Sequence, residues 1–170
     1  MPQTVYLNGE PMHTIGDLPK VGTEAPAFSL VAKDLTMVTL HDYKGRRLVL
    51  NIFPSLDTDV CAASVRRFNK MAAELPNTSV LCVSKDLPFA AARFCVANGI
   101  DNVTTASAFR SSFGKDYGVE LVDGPLHGLL ARALVLIDEN GKVMATSLCQ
   151  EITEEPDYDL VLRMLGKRSE

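Results

Sequence analysis

Apolar positions change period several times along the chain, and each change marks an element. Thr4 to Leu7 alternates toward Asn8-Gly9 and Met12 to Ile15 returns, which predicts a hairpin closed by a two-residue turn. A Pro/Gly-rich connection follows, from Leu18 to Pro26. Phe28 to Val31 and Met37 to Leu40 read as short strands around Lys33-Asp34. Leu48 to Phe53 is almost continuously apolar, the pattern of a strand buried on both faces. Beyond Pro54 the period turns helical. Cys61, Val65, Phe68, Ala72 and Leu75 fall at steps of four, three, four and three, with Asp57, Thr58 and Asp59 as cap candidates. Val80 to Val83 predicts a second buried strand, Pro88 to Asn98-Gly99 a helix, Val103 to Ala106 a short strand, and Ser107 to Tyr117 a further helix. Leu134 to Ile137 and Val143 to Thr146 flank Asp138-Glu139-Asn140-Gly141, a second hairpin signal. Pro156 opens a last helix, with Tyr158, Val161, Leu162 and Leu165 on one face.

Strand–helix–strand crossovers imply parallel pairing, and a terminal hairpin implies antiparallel pairing. The order therefore predicts an α/β chain with a mixed central sheet and helices on both faces. That is a thioredoxin-like layout, here one domain over 1–170 with residues 1–17 as an N-terminal β-hairpin extension. Composition agrees: 46% of the 170 residues are hydrophobic and 22% charged, ordinary for a globular core. A net charge of −4 supplies no basic field for nucleic acid or anionic lipid. No apolar run reaches the roughly 20 residues of a membrane span. Met1 to Glu10 shows no cationic region followed by an apolar one, so no secretory signal is expected. The expected location is cytoplasmic, where thiols stay reduced.

The four cysteines then carry the chemical interest. Cys61, Cys82, Cys95 and Cys149 are separated by 21, 13 and 54 positions, and none of His13, His41 or His127 lies within four residues of one. Zinc sites normally show a closely spaced ligand pair, so no metal site is expected. Cys61 falls in the first turn of a predicted helix, where unpaired N–H groups and the helix dipole favour an anion. A thiolate there is a nucleophile. Taken from periodicity alone, Cys61 reads equally as a small apolar residue on the buried helix face. Arg132 is a lone cation in Ala131-Arg132-Ala133-Leu134-Val135, a setting that requires an anionic partner. Cys82, mid-strand, reads as packing.

Pro54-x-x-x-Thr58-x-x-Cys61 resembles the signature that peroxiredoxins carry around their peroxide-reducing cysteine. Gly22-x-x-Ala25-Pro26-x-Phe28-x-Leu30 and the Leu48 to Phe53 strand match as well. The Pro54 to Arg66 stretch is similar to the bacterial thiol peroxidase branch of that family. So are Asp86-Leu87-Pro88-Phe89-Ala90 with Arg93-Phe94-Cys95, Asp123-Gly124-Pro125-Leu126 and Glu154-Glu155-Pro156-Asp157-Tyr158.

The resemblance implies that Cys61 is the peroxidatic cysteine, oxidised to a sulfenic acid, and Cys95 the resolving cysteine that closes an intrachain disulfide with it. Thr58 would bring its hydroxyl near the sulfur or cap the helix, and Pro54 would shield the site. Arg132 matches the family's essential arginine; Arg66 is closer in sequence but points about 140° away from Cys61 around the helix. The implied activity is thioredoxin-dependent reduction of organic hydroperoxides and hydrogen peroxide by a homodimer, with no metal, haem or flavin as cofactor. Cys149 and the three histidines receive no role. Two other readings are a thiol sensor or holdase, which would not turn over repeatedly, and a protein-disulfide oxidoreductase, which the missing C-x-x-C opposes.

Overall fold

The computed structural model describes residues 1–166. Two sheets are present: a hairpin of β1 (Thr4–Leu7) with β2 (Glu10–His13), and a seven-stranded mixed sheet. The large sheet contains β3 (Ser29–Ala32), β4 (Met37–Thr39), β5 (Arg47–Ile52), β6 (Thr78–Ser84), β7 (Thr104–Ser107), β8 (Ala133–Ile137) and β9 (Val143–Leu148). Their spatial order is β4-β3-β7-β6-β5-β8-β9, with only β5–β6 and β6–β7 parallel. The parallel pairs are bridged by α1 (Asp59–Met71) and α2 (Pro88–Asn98). Both crossovers move the same way along the sheet. Because such connections are right-handed, both helices land on one face.

The alternation within β5 shows the layering. Leu48, Leu50 and Ile52 join one apolar cluster with Leu81, Val83, Phe113, Tyr117 and Val135. Val49 and Phe53 join the other, with Val65 and Phe68 of α1, Ala91 of α2 and Val161 of α4 (Tyr158–Leu165). The longer helices share this second face. The first is covered by a 3₁₀ turn at Leu40–Tyr43 and by α3 (Phe113–Asp116).

The helix predicted over 107–117 shortens to α3. Ser107 pairs with Val31 and Ser84 in the sheet, and the Ala108 N–H donates to the Ser84 carbonyl at 2.8 Å. Sheet pairing thus takes the first residues. The serines then bond locally: Ser111 Oγ accepts from the Phe113 N–H, and Ser112 Oγ donates to Asp116. The last helix begins at Tyr158 rather than Pro156, because Asp157 caps it by accepting from the Leu160 N–H at 3.1 Å.

The N-terminal hairpin turns at Asn8 (φ 51°) and Gly9 (φ 84°), both left-handed as a two-residue turn requires. Glu151 fastens that turn, accepting from the N–H groups of Asn8 (3.2 Å) and Gly9 (2.9 Å). Val5 and Met12, opposite each other in register, pack against Leu121, Ala131 and Ile152 in a third small core. The hairpin is thereby pinned against the segment that follows β9.

Gly118 (φ 69°) ends the α3 region where the chain from the hairpin passes it. A Cβ there would lie 1.9 Å from the Asp17 carbonyl oxygen. Gly118→Ala is therefore expected to destabilise the protein by more than about 2 kcal/mol, from left-handed strain and the backbone clash together. Urea unfolding followed by far-UV circular dichroism checks this value.

Candidate active site

Pro54 ends β5 because it has no N–H to continue the ladder. The chain then crosses a short loop to Thr58, the residue before α1. Asp86, from the β6–α2 connection, holds that loop. Its carboxylate accepts from the Leu56 N–H at 2.7 Å, from Ser55 Oγ at 2.8 Å and from Ser84 Oγ at 2.6 Å. Nothing in the sequence reading gave Asp86 a role. Its place just before Pro88 suggests a helix cap, yet Leu87 occupies that position without a side-chain bond, and Asp86 turns to the Pro54 loop instead.

Thr58 stands at the N-cap of α1, but its side chain caps nothing. The hydroxyl donates to the Ser55 carbonyl at 2.9 Å and closes the loop on itself. The expected side-chain cap is therefore not made, and in this arrangement the hydroxyl proton is directed to Ser55. Its oxygen lone pairs remain available to a donor.

Cys61, the third residue of α1, is fully buried. Arg132, immediately before β8, is 1% exposed and places Nη2 3.3 Å from Cys61 Sγ. The backbone explains how the guanidinium is held. The Cys149 N–H bonds the Arg132 carbonyl at 2.9 Å, extending the β8–β9 ladder by one pair. The chain beyond Cys149 then brings the Ile152 carbonyl back to the guanidinium, which donates to it from Nε (3.0 Å) and Nη2 (2.8 Å). Nη1 is buried and has no partner. Among the described residues no carboxylate forms a salt bridge with Arg132.

A cavity of about 240 Å³ adjoins Arg132 and the first residues of α1. Leu7 of the hairpin, Val60 of α1, Leu126, Leu129 and Ile152 give it apolar walls, and Pro54, Thr58 and Arg132 line it too. A larger groove of about 410 Å³ lies by His41, Lys44, Arg46 and Glu139. It is lined by none of Pro54, Thr58 and Arg132, so the smaller cavity, which all three line, is the one placed for chemistry.

The structure thus gathers Pro54, Thr58, Cys61 and Arg132. Cys95 sits apart from that group on α2, buried, with its sulfur 3.7 Å from Thr105 Oγ1. It shares an apolar cluster with Cys61, and all four cysteines are free thiols. Cys82 is buried in β6, where desolvation pushes its thiol up to about 12 and leaves it inert at neutral pH. Cys149 is half-buried, and its sulfur lies 3.4 Å from the Glu155 carbonyl oxygen; burial raises this thiol as well. Arg66 points outward and bonds Asn98 at 3.3 Å. His13 pairs with Asp123 at 2.6 Å, fastening the hairpin to the loop that carries Leu126 and Leu129.

The Redoxin family matches residues 20–162. Across 95% of this chain and 98% of the relative, the sequence is 57% identical to a thiol peroxidase of Corynebacterium glutamicum. At the same coverage it is 53% identical to a thiol peroxidase of Mycobacterium tuberculosis. The crystal structure of a peroxiredoxin-like protein from Aquifex aeolicus superposes with a TM-score of 0.89 at 44% identity, covering 95% of this chain and 94% of that one. Matched in sequence and fold over nearly its whole length, the chain belongs to the Redoxin family, as a thiol peroxidase of the peroxiredoxin type.

Proposed function

We propose that the protein reduces organic hydroperoxides, and hydrogen peroxide less well, with Cys61 as nucleophile. The observation that carries this reading is the contact between Arg132 Nη2 and Cys61 Sγ at 3.3 Å, beside an apolar cavity. A buried guanidinium bonded only to a neutral carbonyl leaves its charge unbalanced. A deprotonated Cys61 supplies the missing anion. The thiolate attacks the terminal peroxide oxygen, the S–O bond forms as the O–O bond breaks, and the alkoxide leaves and takes a proton to become an alcohol. The unpartnered Nη1 is free to donate to the peroxide as charge moves onto the departing oxygen. Cys61 is left as a sulfenic acid.

Cys95 then attacks the sulfenic sulfur, water leaves, and an intrachain disulfide forms. Both sulfurs start buried on different helices; packed helix axes usually lie about 8–10 Å apart, whereas a disulfide needs Cα atoms roughly 4.4–6.8 Å apart, so the cycle includes unwinding of the first turn of α1, part of α2, or both. Thioredoxin reduces the disulfide and completes the cycle, and no metal or organic cofactor takes part. The protein works as a homodimer in the cytoplasm, each chain a single domain with residues 1–17 as an extension. The apolar walls support organic over inorganic peroxides, since each buried CH₂ contributes about 0.8 kcal/mol.

A thioredoxin-coupled assay tests the reading. Cumene hydroperoxide should be turned over repeatedly, with kcat/KM at least about tenfold above that for hydrogen peroxide. Consumption of a single equivalent would point instead to a sensor. Cys61→Ser should abolish turnover, because an un-ionised hydroxyl is a poor nucleophile, while Cys82→Ser should leave it largely intact. Turnover retained without the Cys61 thiol would remove the mechanism. Arg132→Ala should slow the first oxidation by ~10²–10³-fold, the usual loss for one preorganised donor. An unchanged rate of Cys61 oxidation and of its alkylation by iodoacetamide would show that the arginine does not act on the sulfur.

A further inference from the structure

Among the strand positions from Leu48 to Ile52, Asn51 alone is polar, and it is 0% exposed. Its neighbours in register, Cys82 of β6 and Leu134 of β8, are buried too. The amide therefore has no access to water. Nδ2 donates to Ser64 Oγ at 3.2 Å and lies 3.7 Å from Cys82 Sγ, while Oδ1 is buried without a partner. An unpaired acceptor in a core is destabilising, and an apolar residue of the same size would avoid it. Core stability alone does not account for this side chain.

Its contact with Ser64 does. Ser64 is itself fully buried, and its hydroxyl donates to the Cys61 backbone carbonyl at 2.7 Å. That bond commits the only hydroxyl proton, so Ser64 can only accept from Asn51, and the amide must face it with N–H. A continuous chain results: Asn51 N–H to Ser64 O–H to Cys61 C=O. It runs from the rigid central strand into the turn that bears the nucleophile. In an α-helix the Cys61 carbonyl also receives the Val65 N–H, so Ser64 adds a second hold on the same oxygen.

We propose that Asn51 and Ser64 are positioning residues that keep the Cys61 turn wound in the reduced enzyme and set how fast it opens for the disulfide with Cys95. This inference rests on the Cys61–Cys95 cycle given above. Neither residue touches peroxide; both act through the Cys61 carbonyl. A wound turn keeps the sulfur on Arg132 for oxidation, and opening must break the Ser64 bond. The latch therefore trades resolution speed for a well-placed nucleophile, and prolongs the life of the sulfenic acid.

The two steps can be timed separately. With no tryptophan in the chain, rapid-quench mass spectrometry suits the purpose, following sulfenic acid and disulfide after one equivalent of cumene hydroperoxide. Loss of one neutral hydrogen bond from the wound state alone should make disulfide formation about two- to tenfold faster in Ser64→Ala. Peroxide oxidation should stay within about twofold, and amide exchange at Val65 of the reduced protein should accelerate. Asn51→Leu should also speed resolution, without lowering Tm, and the double variant should be no faster than Ser64→Ala, because both changes cut one chain. Unchanged or slower resolution in folded Ser64→Ala, with only Tm reduced, would overturn the inference. Wild-type protein that forms no Cys61–Cys95 disulfide would instead overturn the cycle beneath it, and this inference with it.

Discussion

The guanidinium of Arg132 is the constraint around which the site is arranged. A permanent cation is buried with no carboxylate near enough for a salt bridge among the described residues, and its nitrogens reach only the Ile152 carbonyl and the Cys61 sulfur. Burial of an unbalanced charge is strongly unfavourable, so the arrangement is stable only if the sulfur or a bound group shares it. Three separate segments must meet to satisfy it: the first turn of α1, the start of β8 and the chain past β9. Much of the sheet topology serves that meeting, since β5 and β8 are antiparallel neighbours whose adjacent ends deliver Cys61 and Arg132 to one place.

Around that pair the structure is built to be rigid on one side and adaptable on the other. Asp86 ties the Pro54 loop to the end of β6 through three short hydrogen bonds. The hairpin, held by Glu151 and by the His13–Asp123 pair, supplies Leu7 to the cavity wall. By contrast α2 leaves apolar residues on its outer face, with Phe89 67% and Val96 86% exposed while Cys95 faces inward. A helix that buries little of its apolar surface has less to lose on unwinding, which fits the element that must give up Cys95.

Much of this was legible along the chain. Continuous apolar runs placed β5 and β6, a helical period placed α1, and Pro88 with Asn98-Gly99 bounded α2, because burial and chain punctuation are local signals whatever the distant partners are. Asn8-Gly9 marked its turn, since few residue pairs accept two left-handed positions. The motif around Cys61 and the isolated charge of Arg132 were joined by the family resemblance, with the chemistry of an unpaired cation in agreement. The 107–117 segment was misread as a longer helix because its spacing suits one. The pairing of Ser107 with two strands and the Ala108–Ser84 bond overrode that local preference.

What the sequence could not supply were contacts between segments far apart in it. The roles of Asp86 on the Pro54 loop, of the Ile152 carbonyl on Arg132 and of Asn51 on Ser64 beneath the Cys61 turn join residues 30, 20 and 13 positions apart. Thr58 shows the same limit at short range. Its motif position was evident, but whether its hydroxyl met the sulfur or the Ser55 carbonyl depended on the loop path that Asp86 imposes. Periodicity records which face of an element is buried, and motif spacing records which chemistry is carried. Only the packed structure decides which donor meets which acceptor, because hydrogen bonds depend on distances of a few tenths of an ångström that no spacing along the chain encodes.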